Sequence, residues 1–446
     1  MSSTSRHSNG TGNKTRTSRV DVHALAVPRA LQRERSARIT SPWVVAAIVA
    51  VFYSLLTFPG LASNPYQFVN IGRQYYTKGT SSQVIKDARP IDDRIGYDGQ
   101  FYYFLAVDPK HGRDYMDAPG VIYSRIGYPM TARALSGGNP ALIPYMMVLV
   151  NILAAVGGTL AVAFFLKRRG LPPAWALLYG LFPGLILSVL RDLTEPLAFG
   201  LAAAGLLAFN PRSKLRLLAS AGLFGLAMLT RETVALFPAI LALGLLLGVG
   251  TASGWRERLK WGNLARAVAF TELAFAPLFL WRHLLTTIVL PHTTTQESFA
   301  GAEHHVVDGA VGATFAALVP FHAMAGQWPW AGEEAGNLFT VILPALLWAG
   351  ISIALLRRKL TLEPWIVLAN VAVFVVFLPT PIAVDYGSLG RASIAVVLAA
   401  LVTLPQACSS LEERSRLIRG SLLLWSLPFW IAIAIPLNAL GPKYIW

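Results

Sequence analysis

The feature that most constrains this chain is the recurrence of apolar runs of about 20 residues, one bilayer thickness of helix, from residue 42 almost to its end. Short polar segments separate them. Only a stack of membrane-crossing helices buries runs of that length in such close succession. Composition agrees: of 446 residues, 54% are hydrophobic and 14% charged, where a soluble domain carries about 25% charged. The expected class is an all-α polytopic membrane protein.

Residues 1–41 are rich in Ser, Thr, Asn and Arg and lack apolar periodicity. They read as a disordered basic tail, too long and polar for an ordinary cleaved leader. The first span, from Pro42 to about Ala62, is then a retained anchor. Residues 63–140 form a long hydrophilic loop in which aromatic and polar residues alternate, suited to short amphipathic helices on a membrane surface. Spans follow from about Ala141, Pro172, Glu195, Leu217, Arg231 and Leu264. A second loop, 291–336, contains no Lys or Arg. Three more spans precede a last one over about Ser421 to Leu440. The clusters Lys167-Arg168-Arg169, Arg212 to Arg216, Arg256 to Lys260, Arg357-Arg358-Lys359 and Arg414 to Arg419 all fall on one side of this threading. By the positive-inside rule that side is cytoplasmic, giving about eleven spans with the N-terminus in and the C-terminus out. Residues 42–446 form one transmembrane domain, with 63–140 and 291–336 as extracytoplasmic loops.

The net charge of +15 is accounted for by these orienting clusters rather than by nucleic-acid binding. One cysteine, Cys408, excludes an internal disulfide or cysteine metal cluster. No internal repeat is evident, which counts against a transporter built from inverted halves. The cytoplasmic loops are too short for a nucleotide-binding domain, and no Gly-rich phosphate loop occurs in a strand-to-helix context.

The remaining polar residues collect at the other side. The stretch Asp92-Asp93-Arg94-Ile95-Gly96-Tyr97-Asp98-Gly99-Gln100 lies in the first loop. Arg191, Asp192 and Glu195 mark one helix tip, Arg231 and Glu232 a second, Arg282 and His283 a third, Asp385 and Arg391 the last. Ionisable residues at membrane depth are costly and usually functional. A carboxylate can take a proton from an acceptor hydroxyl, and arginine forks match phosphate oxygens. An acidic loop over a ring of arginines therefore suits transfer chemistry with a phosphate leaving group. A sugar on a polyprenyl phosphate would present its phosphate there with its tail in lipid.

Plainer readings exist for each residue. Asp98 precedes an apolar run and suits an N-cap. Asp92 and Asp93 beside Arg94 make an ordinary solvated cluster. Glu195-Pro196 suits a helix start. Arg191 and Arg231 suit interfacial snorkelling. His292, His304, His305 and Asp308 match no zinc spacing, so no metal site is assigned.

Tyr97-Asp98-Gly99-Gln100-Phe101-Tyr102 resembles a motif of a bacterial family of polytopic proteins associated with cell-surface glycopolymer formation. The chain looks like a distant member of the GT-C glycosyltransferase superfamily, whose GPI mannosyltransferases carry a similar aromatic-Asp-Gly stretch after the first span. Arg191 to Pro196 and Leu229 to Thr233 also look like helix-tip segments of that superfamily. The resemblance covers the chain from Pro42 onward and departs from members with a large C-terminal soluble domain. It implies a GT-C-like fold, an extracytoplasmic site, a polyprenyl-phosphate sugar donor, an inverting single displacement and an acidic base in the first outer loop.

The expected function is thus a glycosyltransferase of the plasma or inner membrane. It would move a sugar (mannose or another hexose or pentose) from the lipid donor to a cell-envelope glycan or lipid acceptor. The expected base is Asp98, with Asp93 and Asp92 as rivals; Arg191, Arg231 and Arg391 hold the donor phosphate; Tyr97, Gln100, Glu195, Glu232 and Arg282 support them. Partners are the donor, the acceptor and membrane lipids, with no nucleic acid; no cofactor is assigned, and a divalent cation is left open. The alternatives are a flippase for a lipid-linked sugar, or a non-catalytic partner in envelope assembly.

Overall fold

The computed structural model describes residues 41–76, 95–116, 118–248, 261–290, 338–358, 361–376, 386–411 and 415–426. These are helical, with no strand among them beyond one isolated antiparallel bridge, Ile71 to Gly96. Asp92, Asp93, Asp385, the histidines of the second loop, the basic tail and most of the last expected span lie outside the described residues.

Helix α1 (Pro42–Ser63) starts on a proline, whose fixed φ suits the first helical turn. The cap formed by the first loop contains α2 (Gly99–Val107), α3 (Pro119–Ser124) and α4 (Gly127–Leu135). Helix α5 (Ile143–Arg168) places Lys167 and Arg168 in its last turn, where they meet the negative end of the helix dipole. The segment Pro173–Gly180 and helix α6 (Pro183–Leu190) are bent 50° from one another. The break has a sequence cause: a proline pushes its predecessor out of the helical region, and Phe182 is extended at φ −67°, ψ 130°. Then come α7 (Glu195–Ala208), α8 (Lys214–Thr230), α9 (Leu236–Leu246), α10 (Trp261–Leu284), α11 (Leu343–Arg358), α12 (Glu363–Val376), α13 (Tyr386–Ala392), α14 (Ile394–Ser410) and α15 (Ser415–Leu423). Among the described residues, four helical segments are long and apolar enough to cross a membrane (α1, α5, α10 with its extension to Val289, and α11 extended back to Phe339), or five if the bent pair is one span; four shorter apolar helices accompany them. Among the described residues the fold is all-α, and several of its apolar helices could cross a membrane.

The bundle interior is built on small residues that let backbones approach. Gly158 of α5 sits so close to Gly200 of α7 that a Cβ would lie 2.9 Å from its Cα, and Gly200 in turn abuts the Ala154 carbonyl. The outer faces keep their apolar side chains, among them Val51, Leu55 and Phe58 on α1, as lipid contact requires.

The cap has its own core, rich in tyrosine: Tyr102, Tyr103, Tyr115, Tyr123 and Tyr128 are all buried. Every residue of α2 is buried, so this helix is a central rod rather than a surface helix with one wet face. Arg133 of α4 donates to the carbonyls of Ala106 and Val107 at 2.7 and 2.8 Å, closing the C-terminal end of α2. Trp281 of α10 donates to the Tyr123 carbonyl at 2.8 Å and ties the cap to the bundle.

At the opposite end of the bundle the basic residues gather. Arg168 and Arg216 both donate to the Leu207 carbonyl, Arg169 pairs with Glu363 at 3.2 Å, and Arg358 donates to the Ser410 carbonyl.

Candidate functional site

The stretch 95–100 is fastened before it carries chemistry. Gly96 takes a left-handed φ of +74°, a conformation that glycine adopts without steric cost. Buried Gln100 accepts from the Gly72 N–H at 3.0 Å and donates to the Ile95 carbonyl at 2.8 Å. Gln100, assigned a supporting role from sequence, is therefore a backbone staple across the two ends of segment 73–94. Gly99 is required by proximity: a Cβ there would stand 2.2 Å from the Arg191 carbonyl. That contact docks the first loop onto the helix tip that follows α6.

Asp98 occupies the position before α2, as an N-cap would, yet its side chain makes no capping hydrogen bond. It is half exposed (52%), and its Oδ2 lies 3.6 Å from Nη1 of Arg391. Arg391 comes from α13, near the C-terminal end of the described chain. The same Nη1 lies 3.7 Å from Oε1 of Glu195, and Arg231 Nη1 lies 3.0 Å from that oxygen. The Arg191 and Arg391 guanidinium carbons stand 5.4 and 5.2 Å from the centre of the Tyr97 ring, within cation–π range.

Five of the expected residues thus join one network with Glu195, although they span nearly 300 positions of sequence: Arg231 and Arg391 face Glu195, Asp98 and Tyr97 are reached by Arg391, and Arg191 lies over Tyr97. Glu195 is the hub. It is 1% exposed, and it opens α7 with Pro196 behind it. No hydrogen bond of good geometry reaches either of its carboxylate oxygens, and Arg391 Nε is likewise buried without a partner. The charges are close, but the Glu195 oxygens and Arg391 Nε make no directed hydrogen bond, while Arg391 Nη2 donates to the Ser388 hydroxyl at 3.3 Å. Arg191 is buried, and Arg231, 18% exposed, also donates to the Thr194 hydroxyl at 3.4 Å. Neither has the water-reaching posture of a snorkelling anchor.

Glu232 lies in a neighbouring pair. Arg125, between α3 and α4, grips it with two hydrogen bonds, 2.6 and 3.1 Å, and donates to the Tyr102 hydroxyl at 3.2 Å. Burial opposes the charge on Arg125, and Glu232 with Tyr102 more than offsets it, so the guanidinium pKa is raised. Gly127 packs against Thr230 beside this clasp. Arg125 was not singled out from sequence; it is one of several arginines in the first loop, and only its partner on another helix distinguishes it. Arg282 stands in the last turn of α10, next to Trp281 and below the cap.

Asp192, at the tip between α6 and α7, is fully buried, with φ +49°. Its Oδ1 lies 3.3 Å from the Tyr128 hydroxyl oxygen.

Among the described residues no three His, Cys, Asp or Glu side chains gather as a metal site. No family model, no curated protein and no solved structure matches this chain.

Proposed function

We propose that this protein is an integral-membrane glycosyltransferase that takes a sugar from a polyprenyl-phosphate donor. The observation that carries the reading is the uncapped, half-exposed Asp98 carboxylate, next to the buried Arg391, whose Nε has no hydrogen-bond partner. Asp98 is the base. It takes the proton from an acceptor hydroxyl as that oxygen bonds to the anomeric carbon. The bond from the anomeric carbon to the phosphate oxygen breaks on the opposite face, which inverts the configuration. Arg391, Arg231 and Arg191 receive the negative charge that develops on the departing lipid phosphate. Arg391 touches both the base and the hub, so it couples proton removal to leaving-group stabilisation. Glu195 keeps two guanidinium groups from repelling one another while leaving Arg391 Nε without a partner and so available to phosphate.

In this reading the carboxylate-bearing pole is extracytoplasmic and the basic pole cytoplasmic, with about eleven spans over residues 42–446 by the positive-inside rule. The acceptor is a cell-envelope glycan or lipid, reached through the first loop, where Asp92 and Asp93 also lie.

The test is transfer by purified protein from a panel of polyprenyl-phosphate sugars. Asp98→Asn should lower kcat by about 10²–10⁴-fold, the usual worth of a positioned base, with an unchanged melting temperature. Arg231→Ala should weaken donor binding far more than acceptor binding. A well-folded Asn variant with wild-type transfer removes Asp98 from the mechanism. A wild-type protein that moves lipid-linked sugar across vesicles without transferring it replaces the enzyme with a flippase.

A further inference from the structure

Asp192 has a backbone conformation that aspartate, asparagine and glycine tolerate better than other residues. Its φ of +49° turns the chain directly after Arg191. Two consequences of that turn are visible. The Arg191 carbonyl is delivered to the notch left by Gly99, and the Arg191 guanidinium is delivered over Tyr97.

What holds Asp192 there is a polar cluster with no access to solvent. The Tyr128 hydroxyl, from α4, lies 3.3 Å from Asp192 Oδ1 and 3.2 Å from the Met147 carbonyl. Asn151, from α5, donates to that hydroxyl at 2.9 Å. All three side chains are completely buried. The cap, the bundle and the tip after α6 therefore meet at one hydroxyl. Asp192 Oδ2 and Asn151 Oδ1 have no partner, so the cluster is short of donors. A proton on the Asp192 carboxyl supplies one, and burial does raise the pKa of that carboxyl well above the ordinary range.

We propose that Asp192 acts as a neutral acid that positions Arg191, locking the left-handed turn through Tyr128 and Asn151 so that the guanidinium faces the ligand site. The functional consequence rests on Arg191 binding the donor phosphate, as proposed above; the geometric claim does not. Asp192 does not touch the substrate.

Asparagine is neutral, nearly isosteric and compatible with φ +49°. Glycine keeps the turn but loses the anchor. Alanine loses both. Two readouts apply to Asp192→Asn, Asp192→Gly and Asp192→Ala in detergent-purified full-length protein. One is binding of dodecyl phosphate, a single-tailed phosphate monoester. The other is modification of Arg191 by phenylglyoxal, followed by mass spectrometry. Affinity should fall in the order Asn, Gly, Ala, with Asn close to wild type and Ala weaker by about tenfold or more, the scale of one charged hydrogen bond. Arg191 modification should rise in the same order. Tyr128→Phe should move both readouts in the alanine direction.

If alanine does not fold, the Asn-to-Gly step still carries the test. Arg191 labelled equally in the folded variants overturns the proposal, and so does an asparagine variant as weak as the glycine one. If wild type shows no phosphate binding while Arg191 labelling keeps the predicted order, the positioning role stands and the transferase reading falls.

Discussion

The two poles of the bundle use the same residue type for different ends. At the basic pole, arginines donate to the backbone carbonyls of Leu207 and Ser410 or pair at the rim, as Arg169 does with Glu363. These contacts close helix ends with groups that water would otherwise satisfy. At the other pole, arginines face carboxylates beneath the cap: Arg231 and Arg391 against Glu195, and Arg125 against Glu232. Charges taken out of water are expensive unless each is matched. A protein that only needed helix ends closed would have no use for the second arrangement. In the proposed reading, the first arrangement belongs to orientation in the membrane and the second to the site.

The contrast can be broken most directly at the hub. Glu195→Ala leaves Arg231 and Arg391 buried without a counter-charge and should destabilise the protein by about 3–5 kcal/mol, read as a large fall in the detergent melting temperature. A loss under about 1 kcal/mol would mean that the pole is wet and the comparison false. Glu232→Ala unmakes the bidentate clasp of Arg125. It should cost about 3 kcal/mol and, because the clasp holds the cap to the bundle, increase proteolysis of the first loop more than of α8. Gly99→Ala pushes a methyl group into the Arg191 carbonyl. It should cost about 1–3 kcal/mol as overpacking and lower transfer activity beyond what the lost stability explains. Arg169→Ala, at the opposite pole, should cost about 0.2–1 kcal/mol and leave transfer unchanged. An Arg169 variant as damaging as the Glu232 one would erase the distinction between the poles.

The legibility of the chain follows the range of each interaction. The proline that opens α1 and the basic last turn of α5 are local properties, and each appears where its residues predict; of the apolar runs, four helical segments among the described residues are long enough to cross a membrane, or five if the bent pair is one span. The first loop is less legible from local pattern. The alternation of aromatic and polar residues there builds a tyrosine core around α2, because the polar tips of tyrosine find partners inside the cap. Among the site residues, sequence placed Asp98 and the arginines at one end of the bundle. It carried no sign that Glu195 is their common partner, that Gln100 is a staple, that Arg125 closes a clasp or that Asp192 is buried.

By itself, then, the sequence determined the helical class, the apolar runs that could cross a membrane, and the division of its charges between two ends. Hydropathy and the dipole of a helix end act over one turn or one bilayer and can be read along the chain. Which carboxylate meets which guanidinium was decided only by the tertiary structure. Those contacts join α2, α7, α8 and α13 across nearly 300 residues, and their strength comes from a burial that no single segment can provide.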